Sequence, residues 1–410
     1  MAFLGLVLFL ALPAFFLGVL VWTVFEHFRT TDIPSAIQHP AKFRFLHCMF
    51  LYVITLLQQG NIFEKLGICS MPKFFRFLHD RVRIKKDPAL VVTNLRFGTI
   101  PVRLFQPKAA SSRLRRGIIF YHGGGAIFGS LDSYHSLCCF LARETDSVLL
   151  MIGYRKLPDH HAPALSQDCL NASIHFLRCL DTYGVDPSRV VLCGESIGGG
   201  AVVYIAQTLV GRSDLPSIRA QVLINLCVQA INLCLPSSEQ YWCVPFLSQD
   251  FVVTSICKYM AIDISWKEAI LTGAFMPPDT WRKYRKWLSA DNIPKRFQGR
   301  GPPPRFPAPY NEAAYLETKH LFDREYSPFL ADDETMAQLP EVFLVSCEND
   351  MLRDDSLLYK KRLEDLGVRV TWYHVEDGFH GSLILFDKKF FSFPCSVKIV
   401  NAVVDYIKGI

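Results

Sequence analysis

Two glycine-rich turns, each directly after a short apolar run, limit what this chain can fold into more tightly than any other feature. Arg116-Gly-Ile-Ile-Phe-Tyr121 is β-prone and runs into His122-Gly123-Gly124-Gly125, which puts three glycines on the loop leaving a buried strand, where the backbone can turn its amides toward a ligand. Arg189-Val-Val-Leu-Cys193 is a second such strand, followed by Gly194-Glu195-Ser196-Ile197-Gly198 and a helical pattern from Gly199 to Val210. A serine on a sharp turn between strand and helix has its hydroxyl projected from the top of a sheet. Gly-x-Ser-x-Gly is common by chance and His-Gly-Gly-Gly is rare. Together they read as oxyanion donors followed by a nucleophile, the two halves of an acyl-transfer site.

A serine hydroxyl is a weak nucleophile near neutral pH, so this reading requires a base and an orienting acid further along the chain. The apolar run Glu341 to Cys347 leads into Glu348-Asn349-Asp350-Met351-Leu352-Arg353-Asp354-Asp355, which places carboxylates at the C-terminal end of another strand. An amphipathic helix from Ser356 to Leu366 and a strand from Val368 to His374 then lead to Asp377-Gly378-Phe379-His380-Gly381. The expected roles are Ser196 as nucleophile, Asp350 as acid and His380 as base, in the α/β-hydrolase order. Asp354 and Asp355 compete for the acid role but fall in the following helix, where capping and dipole complementation are the expected tasks.

These segments resemble the hormone-sensitive-lipase-like esterases, and within them the arylacetamide deacetylase group. The resemblance rests on the apolar N-terminus, Tyr121 to Gly129, Tyr154-Arg155-Lys156-Leu157-Pro158, Gly194 to Gly200, Asp350 to Asp355 and Asp377 to Gly381. It implies the same triad, with His122, Gly123 and Gly124 around an oxyanion hole that the amide of Ile197 completes. It also implies a substrate that is an apolar ester or amide, such as an arylacetamide or acylglycerol. No metal or organic cofactor is required. Two positions depart from the family pattern: Glu195 stands where many relatives carry aspartate, and the β-branched Ile197 stands where a small residue is usual, crowding the acyl pocket.

The expected fold class is α/β, a mostly parallel sheet with helices on both faces and a helical cap, because strands from Ala89 onward alternate with helical stretches. The expected division is a transmembrane signal anchor over residues 2–25, an N-terminal helical or cap region over 26–88, and a catalytic domain over 89–410 with a cap insertion at about 229–339. Ala2 to Phe25 carries no charge and is long enough to span a bilayer. Arg29, Lys42 and Arg44 follow the span, so the positive-inside tendency favours a cytosolic catalytic domain. The family resemblance implies the opposite, a single-pass type II protein with its catalytic domain in the lumen of the endoplasmic reticulum, and that is the expectation adopted. Phe45 to Leu57 reads as a cap or interfacial helix, and Trp281 to Trp287 as a solvated helix face.

The net charge of +6 over 410 residues is modest and no nucleic-acid motif accompanies it, so no nucleic acid is expected as partner. Neither His160-His161 nor Cys138-Cys139 has metal-ligand spacing. Thirteen cysteines leave at least one unpaired within the chain. The single sequon, Asn171-Ala172-Ser173, makes Asn171 a candidate glycosylation site, although it falls in an expected helix. Two rivals stay open: a carboxylesterase or cholinesterase-type enzyme, which would use Glu348 as its acid, and a non-catalytic hydrolase-fold receptor for a small apolar ligand.

Overall fold

Eight strands form one sheet in the order β1-β2-β4-β3-β5-β6-β9-β10 in this computed structural model. It describes residues 2–31, 33–65, 84–244, 247–299 and 306–410, with side chains from residue 10 onward except at 57–65 and 243. Residues 66–83 of the N-terminal region and 301–305 of the Pro-rich stretch lie outside the described residues.

The strands are β1 (Leu90–Phe97), β2 (Ile100–Pro107), β3 (Arg115–Tyr121), β4 (Ser147–Ile152), β5 (Val185–Glu195), β6 (Ala220–Ile224), β9 (Glu341–Asn349) and β10 (Val370–Phe379), with a separate antiparallel pair β7 (Cys243–Val244) and β8 (Leu247–Ser248). The β1-β2 hairpin is antiparallel and joins β4 antiparallel; from β4 through β3, β5, β6 and β9 to β10 every pairing is parallel. The expected mostly parallel α/β sheet is present. Its inner strands are buried along their length: every residue of β4 and β6 is buried, as required of strands covered on both faces.

Among the described residues, the helices of ten residues or more are α1 (Ala2–Thr30), α2 (Pro40–Lys65), α3 (His135–Glu144), α4 (Ala164–Arg178), α5 (Ile197–Leu209), α6 (Gln249–Met260), α7 (Pro278–Leu288), α8 (Arg353–Asp365) and α9 (Pro394–Gly409). Alternate strand residues divide the core in two. Ile119, Leu150, Leu192, Leu223 and Leu344 face a core shared with α4, α5 and α8. Ile118, Leu149, Val191, Val222 and Phe343 face one shared with α3 and α9.

Residues 225–340 form an excursion between two strands that are neighbours in the sheet, β6 and β9. Near the N-terminus, α1 includes an apolar stretch, Leu10–Thr30, with mean hydropathy 1.6, long and apolar enough to cross a membrane. The helix expected over Phe45 to Leu57 is longer, because α2 begins at Pro40, a residue suited to a helix start, and buries Leu56 against Phe15, Phe16 and Val19 of α1. Eleven described cysteines are free thiols, most of them buried, where cysteine packs as a small hydrophobe.

Candidate active site

The sheet changes direction of growth at β3: the next strand in the chain, β4, lies on one side of it and β5 on the other. Such a switch opens a crevice beyond the C-terminal ends of the strands. His122 follows β3, Ser196 follows β5, Asp350 follows β9 and His380 follows β10. Four sequence-distant residues are thereby delivered to one edge by the parallel topology alone.

Ser196 has φ 55° and ψ −123°, a left-handed conformation costing on the order of 1–3 kcal/mol in a non-glycine residue. It is held there by its amide donating to Ile224 O at 2.9 Å and by its carbonyl accepting from Gly199 N at 2.9 Å. The flanking glycines are steric requirements: a Cβ on Gly194 would lie 2.3 Å from Gly198 O, and one on Gly198 would lie 2.2 Å from Tyr121 O. The strained turn thus depends on β5, α5 and β3 approaching within backbone contact.

His380 Nε2 lies 3.0 Å from Ser196 Oγ, and His380 Nδ1 lies 2.9 Å from Asp350 Oδ2. Asp350 is fixed in turn by accepting from Leu352 N at 2.8 Å, and all three side chains are buried. Burial works against a charged imidazole, yet the charge and hydrogen bond of Asp350, with the charge of Glu195, outweigh it and raise the His380 pKa above its ordinary 6.5. The remaining acidic candidates are engaged elsewhere. Glu348 accepts from Arg353 at 2.7 Å and from Tyr241 at 2.9 Å, and lies 2.9 Å from His374 Nε2. Asp354 accepts from Ser237 N at 2.7 Å and Asp355 from Gln229 at 2.7 Å. Both are buried in the first turn of α8, so instead of capping their own helix they bind residues of the 225–340 excursion.

The glycine loop lies against the serine. A Cβ on Gly123 would be 3.3 Å from Ser196 Cβ, and Gly124 has φ 120°, a conformation open only to glycine. The His122 ring packs beneath the loop between Tyr154, at 4.2 Å, and Tyr134, at 5.6 Å, and lines neither cavity described below. Its part in the loop is therefore structural, while Gly123 and Gly124 face the cavity. Ile197 opens α5, so its amide is one of the orphan donors at a helix N-terminus, where partial positive charge collects.

Support for the loop comes from residues whose roles the sequence left unstated. Tyr154 donates to His122 O at 2.7 Å, Leu157 N donates to Ala126 O at 2.9 Å, and Lys156 donates to Gly129 O. The Tyr154-to-Pro158 motif is thus a brace beneath the glycine loop. Tyr134 donates to Glu195 Oε2 at 2.6 Å. Burial pushes the Glu195 carboxyl up to about 6, opposed by the Tyr134 bond and the attraction of His380 and helped by Asp350.

Two cavities meet at Ser196. One is walled by Ile197, Tyr204, Phe251, Tyr259 and Tyr326 among others. The larger is lined by His380, Gly123, Gly124 and the α2 residues Phe45, Leu46, Met49, Phe50 and Val53. Both are chiefly apolar, as sites for apolar ligands are. Asn171 is exposed on α4, whereas Ser173 of the same sequon is buried and bonded to Tyr121 at 2.7 Å. His161 Nδ1 lies 2.8 Å from Lys258 O. Among the described residues no group of three or more His, Cys, Asp or Glu side chains is gathered around a metal-sized space.

Comparison with known proteins agrees with this architecture. Residues 118–264 and 305–384 match a family described by the α/β hydrolase fold. The chain is 76% identical over 405 residues to arylacetamide deacetylase-like 4 of Homo sapiens, covering 99% of each chain. It is 32% identical over 371 residues to arylacetamide deacetylase of Mus musculus, covering 88% of this chain and 90% of that protein. A thermophilic carboxylesterase cloned from a metagenomic library has the same fold, with TM-score 0.61 at 20% identity over 82% of this chain and 97% of that one. The chain belongs to the arylacetamide deacetylase-like family of α/β hydrolases.

Proposed function

We propose that this protein is a membrane-anchored serine hydrolase that cleaves apolar carboxylic esters through an acyl-enzyme, with Ser196 as nucleophile, His380 as general base and Asp350 as the acid that orients it. The observation that carries this reading is the continuous chain from Ser196 Oγ through both nitrogens of His380 to Asp350, at 3.0 and 2.9 Å. His380 takes the Ser196 proton as Oγ attacks the ester carbonyl. Negative charge then develops beside the amides of Gly123, Gly124 and Ile197, each worth about a hundredfold to a thousandfold in rate. The imidazolium returns the proton to the leaving alcohol, and a water activated by His380 releases the acid. An amide passes through the same oxyanion, so arylacetamides and acylglycerols both belong to the proposed substrate class.

The α1 helix serves as the anchor in this reading, and α2 with the 229–339 excursion forms the cap over the site. The family resemblance supports a type II arrangement with the catalytic domain in the lumen of the endoplasmic reticulum. The carboxylesterase-type alternative is disfavoured by the engagement of Glu348 with Arg353, His374 and Tyr241. The receptor alternative gives no account of the strained Ser196 turn aligned on His380.

The test is fluorophosphonate labelling of the membrane-embedded protein, with the adduct located by mass spectrometry. Labelling of Ser196 that disappears in His380→Ala is the expected result. Folded, unlabelled wild-type protein would return the assignment to a ligand-binding role.

A further inference from the structure

The wall of the larger cavity continues outward into exposed aromatic side chains, on a helix that packs against the apolar one. Phe28, on the last turn of α1, is 68% exposed and lies beneath the guanidinium of Arg44 at 5.2 Å. The next residue, Phe45, is half exposed and stacks on Phe391 at 6.1 Å and 20°. Phe391 in turn meets Phe390 edge-on at 5.3 Å, and Phe390 is 71% exposed. Phe45 and Phe391 also line the cavity that contains His380 and Ser196.

Isolated apolar residues on a surface need no explanation; a contiguous run of them around an apolar cavity mouth does. The segment bearing Phe390 is also built to hold it outward. Asp387 and Lys389 both have left-handed φ, 55° and 50°, and Lys42 of α2 donates to Ser392 O at 2.6 Å, tying the segment to the helix. Cationic residues neighbour the run in sequence: Arg29, ion-paired with Glu26 at the end of α1, and Lys389 beside Phe390. Aromatic rings with flanking lysine and arginine are the composition of a protein surface seated at the headgroup level of a bilayer.

We propose that the mouth of the larger cavity opens directly onto the bilayer that holds α1, with Phe390, Phe391 and the exposed side of α2 seated in its interface, so that substrate is an ester dissolved in the membrane that enters sideways to reach Ser196. This rests on the anchored serine-hydrolase reading and adds to it a second membrane contact, more than 300 residues from the anchor in sequence, and the phase from which substrate is drawn. The bilayer is the occupant because α2, which bears Phe45, packs on the one helix among the described residues that is long and apolar enough to enter it, with Arg44 reaching both Phe28 and His27 of that helix.

The experiment uses the full chain reconstituted in phosphatidylcholine vesicles, comparing Phe390→Trp with wild type. The expected result is additional tryptophan fluorescence that lipid with brominated acyl chains quenches, in protein that stays with the vesicles after carbonate washing. This readout does not depend on catalysis. Additional fluorescence that brominated lipid leaves untouched, or that changes only with protein density as contact with a second copy would make it do, overturns the proposal. Release by carbonate overturns it at the anchor. A second variant, Phe390→Ser, removes an exposed ring that lines neither cavity at Ser196. It is expected to leave hydrolysis of a soluble short-chain ester unchanged while lowering hydrolysis of a vesicle-borne diacylglycerol analogue about tenfold, the loss of one interfacial aromatic. A variant whose rates relative to wild type are unchanged on both substrates, or fall equally on both, overturns the proposal, and absence of fluorophosphonate labelling locates a failure in the catalytic reading instead.

Discussion

Glu348 and Asp350 stand two residues apart at the end of β9 and take different partners: Asp350 meets the Nδ1 of His380 at 2.9 Å, whereas Glu348 lies 2.9 Å from His374 and accepts from Arg353 at 2.7 Å. Their substitutions should therefore separate. Asp350→Asn is expected to lower kcat about ten thousandfold while leaving the fold intact, because the imidazole loses its orienting charge. Glu348→Gln is expected to keep near-normal kcat/KM but to lower stability by about 3 kcal/mol, since it takes the charge from a partner of the fully buried Arg353. Steady-state rates and denaturant midpoints on the two variants check this; the opposite pattern would make Glu348 the acid.

The pH profile should carry the signature of the same network. His380 must be neutral to act as base, and its pKa is raised above 6.5, the charges of Asp350 and Glu195 outweighing burial. The acid limb of kcat/KM is accordingly expected to have its midpoint above 6.5, with activity rising as pH increases through it. Removing one of the two negative charges in Glu195→Gln should move that midpoint down while activity at alkaline pH is kept. A profile that does not move assigns Glu195 no electrostatic share in the base.

Ile197 lines the smaller cavity next to Ser196. Shortening it to alanine should raise the ratio of kcat/KM for an aryl-acyl ester over the acetyl ester of the same alcohol by about tenfold, the value of one or two methylenes in an apolar pocket. An unchanged ratio measured with matched p-nitrophenyl esters would mean that other walls set the size of the accepted group.

Asp355 offers a test in stability. Burial, the neighbouring charges of Asp354 and Asp350, and only partial relief from Gln229 push its carboxyl up to about 8. The folded-state pKa is above the unfolded value of 3.8, so the proton is bound more tightly in the native protein, and the associated stability is present below about pH 4 and lost as pH rises through about 8. Asp355→Asn, neutral throughout, is expected to flatten the fall of Tm over that interval. A slope identical to wild type in calorimetry would remove Asp355 from the account.

Much of this fold was legible because its information is local. Parallel strands covered on both faces read as unbroken apolar runs, and the run Arg116 to Tyr121 matches β3, Arg115–Tyr121, to within one residue. The candidate residues were legible in type and order, since each follows a strand that the topology brings to one edge. What was hidden depends on contacts between distant segments. α2 begins five residues before the run read as a helix and buries Leu56 against α1, which a run interrupted by Lys42, Arg44 and His47 does not advertise. The Tyr134 to Glu195 bond spans 61 residues, and neither side chain alone announces it. Asp354 and Asp355 looked like helix caps because their partners, Ser237 and Gln229, belong to an excursion whose path the sequence does not reveal.

Ser196, Gly125, Leu247 and Phe251 are the residues common to the walls of both cavities. A molecule long enough to occupy the two must cross from one to the other over the serine, so the bond presented to Oγ is the one that happens to lie at the crossing. In the proposed reaction, selection then acts like a ruler rather than a mould: the site would measure how much of the molecule extends to each side of the scissile bond, and scission would leave the two fragments in separate cavities.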